Sequence, residues 1–176
     1  MGISGKDGRL MAAEQAKPDG KDIGYVGIVK HVDTKIIYDL LDDDFLPIIY
    51  PIGIGEDGQS FNINGDYAAE AIAEALKADK LAFLTDTSGV YEDINDEDSF
   101  VSELYTDEAK EMIEEGIITG GMIPKVQNCL KAIEGGVNRV HILDGRIPHC
   151  LLLEIFTDRG CGTAIMNPEE TRYYNQ

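Results

Sequence analysis

Basic residues are scarce: 15 Lys and Arg stand against 33 Asp and Glu, and the formal charge is -18. A surface of that sign repels phosphate backbones and anionic lipid unless its cations are tightly clustered, so neither nucleic acid nor a membrane is an expected partner. An anionic small ligand remains compatible, because a few aimed donors in a low-dielectric cleft can override the global field. Each lysine therefore becomes informative. Long hydrophobic runs are also missing. No window approaches the length of a membrane span, and the opening MGISGKDGRLMAAEQAK holds no apolar core of the kind that directs export. The expectation is a soluble, unexported protein. The three cysteines, Cys129, Cys150 and Cys161, form no CxxC pair and no His/Cys cluster at metal-ligand spacing. That excludes a zinc site of this type and fits a reduced, cytoplasmic compartment. Cys129 shares an i, i+3, i+4 apolar stripe with Met122, Ile123, Val126, Leu130 and Ile133, which reads as a buried small hydrophobe.

What is present is enough apolar material for a core: 43% hydrophobic side chains in 176 residues, the size of one globular domain. Residues 1–23 are rich in Gly, Lys and Asp without a sustained hydrophobic period, and read as loop or an incomplete element. From Gly24 the pattern is regular. IGYVGIVKHV reads as a strand. DTKIIYDLLDDD reads as a helix with Asp33 or Thr34 near its N-cap and Ile36, Ile37, Leu40 and Leu41 facing inward. FLPIIYPIGI reads as a continuous apolar strand of the sort that parallel sheets bury on both faces. Helices are expected over 67–78, 106–115, 124–134 and 148–156, with strands over 81–85, 138–143 and 161–166. YEDINDEDSF reads as a solvated acidic loop. Strands alternating with helices predict an α/β fold with a mainly parallel sheet, its ligands beyond the carboxyl ends of the strands.

Three segments could carry chemistry. In Gly120-Gly121-Met122-Ile123-Pro124-Lys125, paired glycines precede a helix start with Pro124 expected at its first position. Lys125 then sits at the positive end of the helix dipole, disfavoured by about 0.3 to 1 kcal/mol unless an anion is there. Free helix N–H groups, glycines and a lysine make a phosphate cradle, although a plain glycine turn with an exposed lysine fits the same residues. In Asn62-Ile63-Asn64-Gly65-Asp66, the two asparagines of an extended segment point to one side, and Asp66 suits an N-cap. A polar turn with a helix cap is the competing reading. The strand Leu81–Thr85 runs into Asp86-Thr87-Ser88-Gly89-Val90-Tyr91, offering backbone and hydroxyl groups where an α/β nucleotide site would lie.

In this order and spacing, GISGKDG, PIGIGEDGQSFNINGDYAAEAIA, KLAFLTDTSGVY, GIITGGMIPKV and HILDGRIPHCLLLEIFTDRGCGTAIM resemble the amino-acid kinase family, in its branch that phosphorylates N-acetylglutamate. The likeness covers nearly the whole chain. It implies helices on both sides of a mainly parallel sheet, with transfer of the ATP γ-phosphoryl group, Mg2+ accompanying ATP, to the side-chain carboxylate of N-acetylglutamate in arginine biosynthesis. The resemblance gives Lys125 the stabilisation of charge on the transferring phosphoryl group and Asp66 the orientation of catalytic lysines. It gives Asn62 and Asn64 the acetylated amino acid, and it lines the nucleotide with Asp86 to Tyr91 and with Ile117, Ile118, Thr119 and Gly120. His149, Glu154, Gly160 and Gly162 look like the site of members inhibited by arginine. No resident metal site is expected.

The resemblance also implies a departure. Complete members open with a lobe carrying a first catalytic lysine, a glycine-rich phosphate loop and a substrate-gripping arginine, and nothing here matches them. Residues 1–23 are then a remnant, 24–166 the ATP-binding α/β domain and 167–176 a tail, with little or no activity expected from this chain alone and homo-oligomerisation one way to cover the surface left bare. Two alternatives share the same residues: a kinase of an aminoadipate derivative, and a non-catalytic nucleotide- or arginine-binding regulatory module.

Overall fold

The computed structural model describes residues 1–157 and 160–169. The chain divides into two compact units, Met1–Leu76 and Lys77–Gln176, where the sequence reading expected one domain over 24–166.

In the first unit, strands β1 (Gly2–Ser4), β2 (Met11–Gln15) and β3 (Gly27–Val32) precede helix α1 (Lys35–Asp42). Strands β4 (Ile48–Tyr50), β5 (Ile52–Ile54) and β6 (Ser60–Asn62) and helix α2 (Gly65–Leu76) follow. Residues 1–23, expected as loop, thus contain two strands. Each is short and separated by the Gly-Lys-Asp-Gly turn, so no local period betrays them, yet Leu10 and Met11 are fully buried. Non-local pairing fixes them: β2 lies antiparallel to β3 and parallel to β5 in the order β3-β2-β5-β6, and β1 pairs in parallel with β4. The single strand expected over 45–54 is two. Pro51, with no N–H to give to a ladder, separates β4 from β5, and the two enter different sheets. On α1, Ile37 is buried and Ile36 and Leu40 pack beside it, but Leu41, expected inside, is exposed. Thr34 holds the N-cap position without a side-chain cap, and the Asp33 carboxylate accepts the Lys35 amide at 3.0 Å.

The second unit contains β7 (Lys80–Thr85), β8 (Val90–Tyr91), β9 (Phe100–Val101), β10 (Glu103–Tyr105), α3 (Thr106–Glu114), α4 (Met122–Glu134), β11 (Arg139–Asp144), α5 (Cys150–Phe156) and β12 (Gly162–Met166). Its main sheet runs β10-β12-β11-β7. The β7/β11 and β10/β12 pairs are parallel and β11/β12 antiparallel, so the α/β class holds and the sheet is mixed. Every residue of β11 and β12 is buried, the mark of a sheet covered on both faces. Cys129 is fully buried within α4, as its stripe predicts. The acidic segment 91–100 is mostly exposed, but its ends pair as the antiparallel hairpin β8/β9, with Tyr91 and Phe100 edge to face at 5.3 Å. No helix among the described residues is long and apolar enough to cross a membrane. The tail expected at 167–176 lies, from residue 170 onward, outside the described residues.

Candidate nucleotide and substrate site

Topology brings the second unit's candidate segments to one end of its sheet. β7 and β11 are parallel, with Thr85 opposite Asp144 at their carboxyl ends. Helix α4 enters β11 through a short Gly-Gly turn, packs along it and therefore runs back over it. Its thirteen residues and the six of β11 both span roughly 20 Å, so the start of α4 lies at the carboxyl end of β11. The connection 115–121, carrying Ile117 to Gly120, arrives at that same end. Asp86 to Gly89 leave β7 there. An open α/β sheet binds its ligands at such an edge.

Hydroxyls and carboxylates order this edge. Thr85 Oγ1 lies 3.2 Å from both Asp86 Oδ1 and Thr87 Oγ1 and accepts the Thr87 amide at 3.2 Å, a turn that holds the loop's first residues. Thr163 Oγ1 accepts the Val90 amide at 2.8 Å and donates to the Val101 carbonyl at 2.6 Å. Gly89 passes so close to this hydroxyl, at a φ of +138°, that a Cβ would stand 2.5 Å from it. Only glycine fits there without displacement.

Asp144 and Arg146 are the residues that sequence reasoning missed. Arg146 donates through Nε and a terminal nitrogen to the two oxygens of Asp144, each at 2.8 Å, and its amide adds a bond of 2.9 Å. These bonds, led by the guanidinium and helped by Ser88, hold the Asp144 carboxyl down at about 2. The Asp144 carboxylate, and more weakly Asp86, in turn raise the Arg146 pKa. The signal lay in HILDGR, where an apolar strand ends on a carboxylate before a turn.

The lysine at the start of α4 is half-buried and makes no hydrogen bond or ion pair among the described residues. Gly120 and Gly121 beside it border open space. The helix begins at Met122, so Pro124 occupies its third position and not the expected first; its missing N–H is still among those a helix start leaves unpaired. Ile117 and Ile118 both donate their amides to the Met112 carbonyl, and Ile118 is buried beneath the turn.

Asn62, Asn64 and Asp66 belong to the first unit, at the junction of β6 with α2. The helix cap there is Asn64, not Asp66: Asn64 Oδ1 accepts the Asp66 amide at 2.9 Å and the Tyr67 amide at 3.4 Å. A side-chain oxygen just before the first helical residue reaches these amides, whereas Asp66 already lies inside the turn. The Asp66 carboxylate is left without a hydrogen bond among the described residues, and so is the side-chain amide of the exposed Asn62, whose backbone N–H donates to the Tyr25 carbonyl at 2.7 Å.

The C-terminal group divides by role. Glu154 is buried, with Oε1 2.7 Å from His141 Nδ1, while Oε2 accepts the amides of Cys161 at 2.7 Å and Gly162 at 3.1 Å. Desolvation alone would raise its carboxyl, but the bonds from His141 and the two amides outweigh that and hold it below the usual range. Glu154 is thus a clamp between α5, β11 and β12, with its oxygens turned inward. Gly162 is there for packing, since a Cβ would meet the Ile142 carbonyl at 2.3 Å. His149 is exposed at the head of α5 in the left-handed conformation, and Gly160 also takes a positive φ.

Described carboxylates, imidazoles and thiols form no group of three or more able to hold a metal ion.

The profile of the amino acid kinase family matches residues 1–144, and the chain belongs to that family. It is 52% identical over 167 residues to the acetylglutamate kinase of Syntrophomonas wolfei, a match covering 95% of this chain and 58% of the relative. The acetylglutamate kinase of Caldanaerobacter subterraneus is 51% identical over 165 residues, covering 94% and 55%. The chain thus spans little more than half the length of these relatives. Among solved structures, the N-acetylglutamate synthase of Neisseria gonorrhoeae, complexed with coenzyme A and L-arginine, superposes with a TM-score of 0.80 at 30% identity, over 93% of this chain and 37% of that one.

Proposed function

We propose that this chain is the ATP-binding part of an acetylglutamate kinase, serving transfer of the ATP γ-phosphoryl group to the side-chain carboxylate of N-acetylglutamate. The observation that carries this reading is the meeting of Asp86–Gly89, Ile117–Gly120 and Lys125 at the carboxyl end of β7 and β11. An unpaired lysine at a helix start beside two open glycines suits a polyphosphate, and the dipole adds to the attraction. Lys125 stabilises charge on the phosphoryl group in flight, and the family resemblance assigns Asp66, with its carboxylate unengaged, the orientation of catalytic lysines. Asn62 and the remaining amide N–H groups of Asn64 bind the acetylated amino acid. Magnesium neutralises phosphate charge when it arrives with ATP. Such catalysis is positioning plus electrostatics. The identity to acetylglutamate kinases favours that substrate over an aminoadipate derivative. In the arginine reading, supported by the arginine-bound synthase, His149 and Gly160 face the ligand and Glu154 holds the floor behind them. A cytoplasmic homo-oligomer fits the exposed apolar side chains of β4.

Calorimetry with Mg-ATP tests the reading. The chain is expected to bind ATP, and Lys125→Ala to weaken it about tenfold, the worth of one charge-assisted bond. Absence of nucleotide binding, or an unchanged affinity in the variant, overturns it. Because the relatives are so much longer, these 176 residues alone are expected to give no acyl phosphate from N-acetylglutamate and ATP. Turnover at an ordinary kinase rate of about 10 per second refutes that part.

A further inference from the structure

Cys150 and Cys161 lie eleven positions apart and form no sequence motif, yet the fold joins them: Cys161 Sγ donates to the Cys150 carbonyl at 3.3 Å. Cys150 is the first residue of α5, and Cys161 stands just before β12. Glu154, one turn along α5 from Cys150, holds the Cys161 amide at 2.7 Å. A residue's carbonyl oxygen and Cβ are about 3 Å apart by covalent geometry, so the Cys161 sulfur is within roughly 6 Å of the Cys150 Cβ. A disulfide needs about 3 Å, a gap that side-chain rotation and a small backbone adjustment can close.

We propose that Cys150 and Cys161 are a dithiol modification site that closes to an intramolecular disulfide, with a low-molecular-weight disulfide such as glutathione disulfide as the oxidant. Cys161, partly exposed, reacts first. Its thiol loses a proton to solvent and the thiolate attacks one sulfur of the oxidant, releasing one glutathione thiolate and leaving a mixed disulfide. Cys150, only 4% exposed, then loses its proton, and its sulfur attacks Cys161 Sγ, releasing the second glutathione. Two protein thiols are oxidised to one disulfide and the oxidant is reduced to two thiols. Burial, and after it the Glu154 charge, push the Cys161 thiol upward, so the first attack is slow at neutral pH and quickens as pH rises. The bridge ties α5 to the strand whose Thr163 holds Val90 beside the nucleotide loop. Cys129, fully buried in α4, takes no part.

The test is mass spectrometry of the whole chain after incubation with glutathione disulfide and acid quench. The expected product is lighter than the reduced chain by two hydrogens, with the Cys150 and Cys161 peptides joined and released by dithiothreitol. Its yield relative to mixed disulfide should be at least about tenfold higher in the folded chain than in urea, and its formation about tenfold faster per pH unit above neutrality, with no levelling at the ordinary thiol value of about 8.5. In C150S, glutathione should remain on Cys161. A bridge no more abundant in the folded chain than in urea, mixed disulfide on Cys161 without closure, or a bridge involving Cys129 overturns the proposal.

Discussion

The two units bury their strands differently. In the second, β11 and β12 are buried at every position; in the first, Ile28, Ile48, Tyr50 and Ile52 point apolar side chains from strands into solvent. The candidate site residues follow that division only in part. Asp86 to Val90 of the second unit stand on a loop held by Thr85 and Thr163, whereas Asn62 and Asp66 of the first, and Lys125 on α4 of the second, keep their side-chain groups unengaged. Strands covered on both faces, as β11 and β12 are, give the carboxyl edge a packed floor, although Leu84 on β7 is exposed. A sheet with exposed apolar strands has surface left for another body to cover.

The contrast is sharpest for core truncations. Ile142→Ala, at a fully buried position of β11, should cost about 3 kcal/mol or more through lost transfer energy and a cavity. Ile48→Ala, at a position 58% exposed, should cost under about 1 kcal/mol. Hydrogen exchange resolved by unit measures both, and equal losses would break the comparison. Glu154→Ala should cost about 3 kcal/mol in urea unfolding, because it strands the His141 ring and two amides inside the protein. A loss near zero would show that the clamp is replaceable by water. Asn64→Ala should cost about 1 kcal/mol through the lost cap of α2, with Asn64→Ser restoring most of it. If Asp66→Ala proved the costlier change, the cap assignment would be wrong.

The smallest effect is an acid one. The folded pKa of Asp144 lies below its ordinary value of 3.8, so its contribution to stability is complete above that value and lost as pH falls from there toward about 2. Glu154, also depressed, acts in the same direction. Asp144→Asn should therefore flatten the fall in stability below about pH 4, as followed by circular dichroism during acid titration. An unaltered acid limb would mean that the Arg146 pair carries no weight.

Much of the second unit was legible in the sequence, because helical stripes and apolar runs are local signals: α3, α4, β7, β11 and β12 fall within a residue or two of their expected spans. The first unit was less so. Strands β1 and β6 are too short to show a period, β2 reads MAAEQ without an apolar alternation, and all three depend on distant partners for their hydrogen bonds. Asp66 and Asn64 exchanged places as helix cap, since either residue type suits a cap and a shift of two residues at the helix start decides between them.

The sequence by itself determined the α/β class and the family, because period, composition and motif spacing are carried along the chain. Only the tertiary structure decided that Asp144 and Arg146 brace the same edge, that Glu154 faces inward and that Cys150 meets Cys161. These relations depend on how β11, α5 and β12 turn back on one another, and such turning is set by packing and non-local pairing, which no local pattern records.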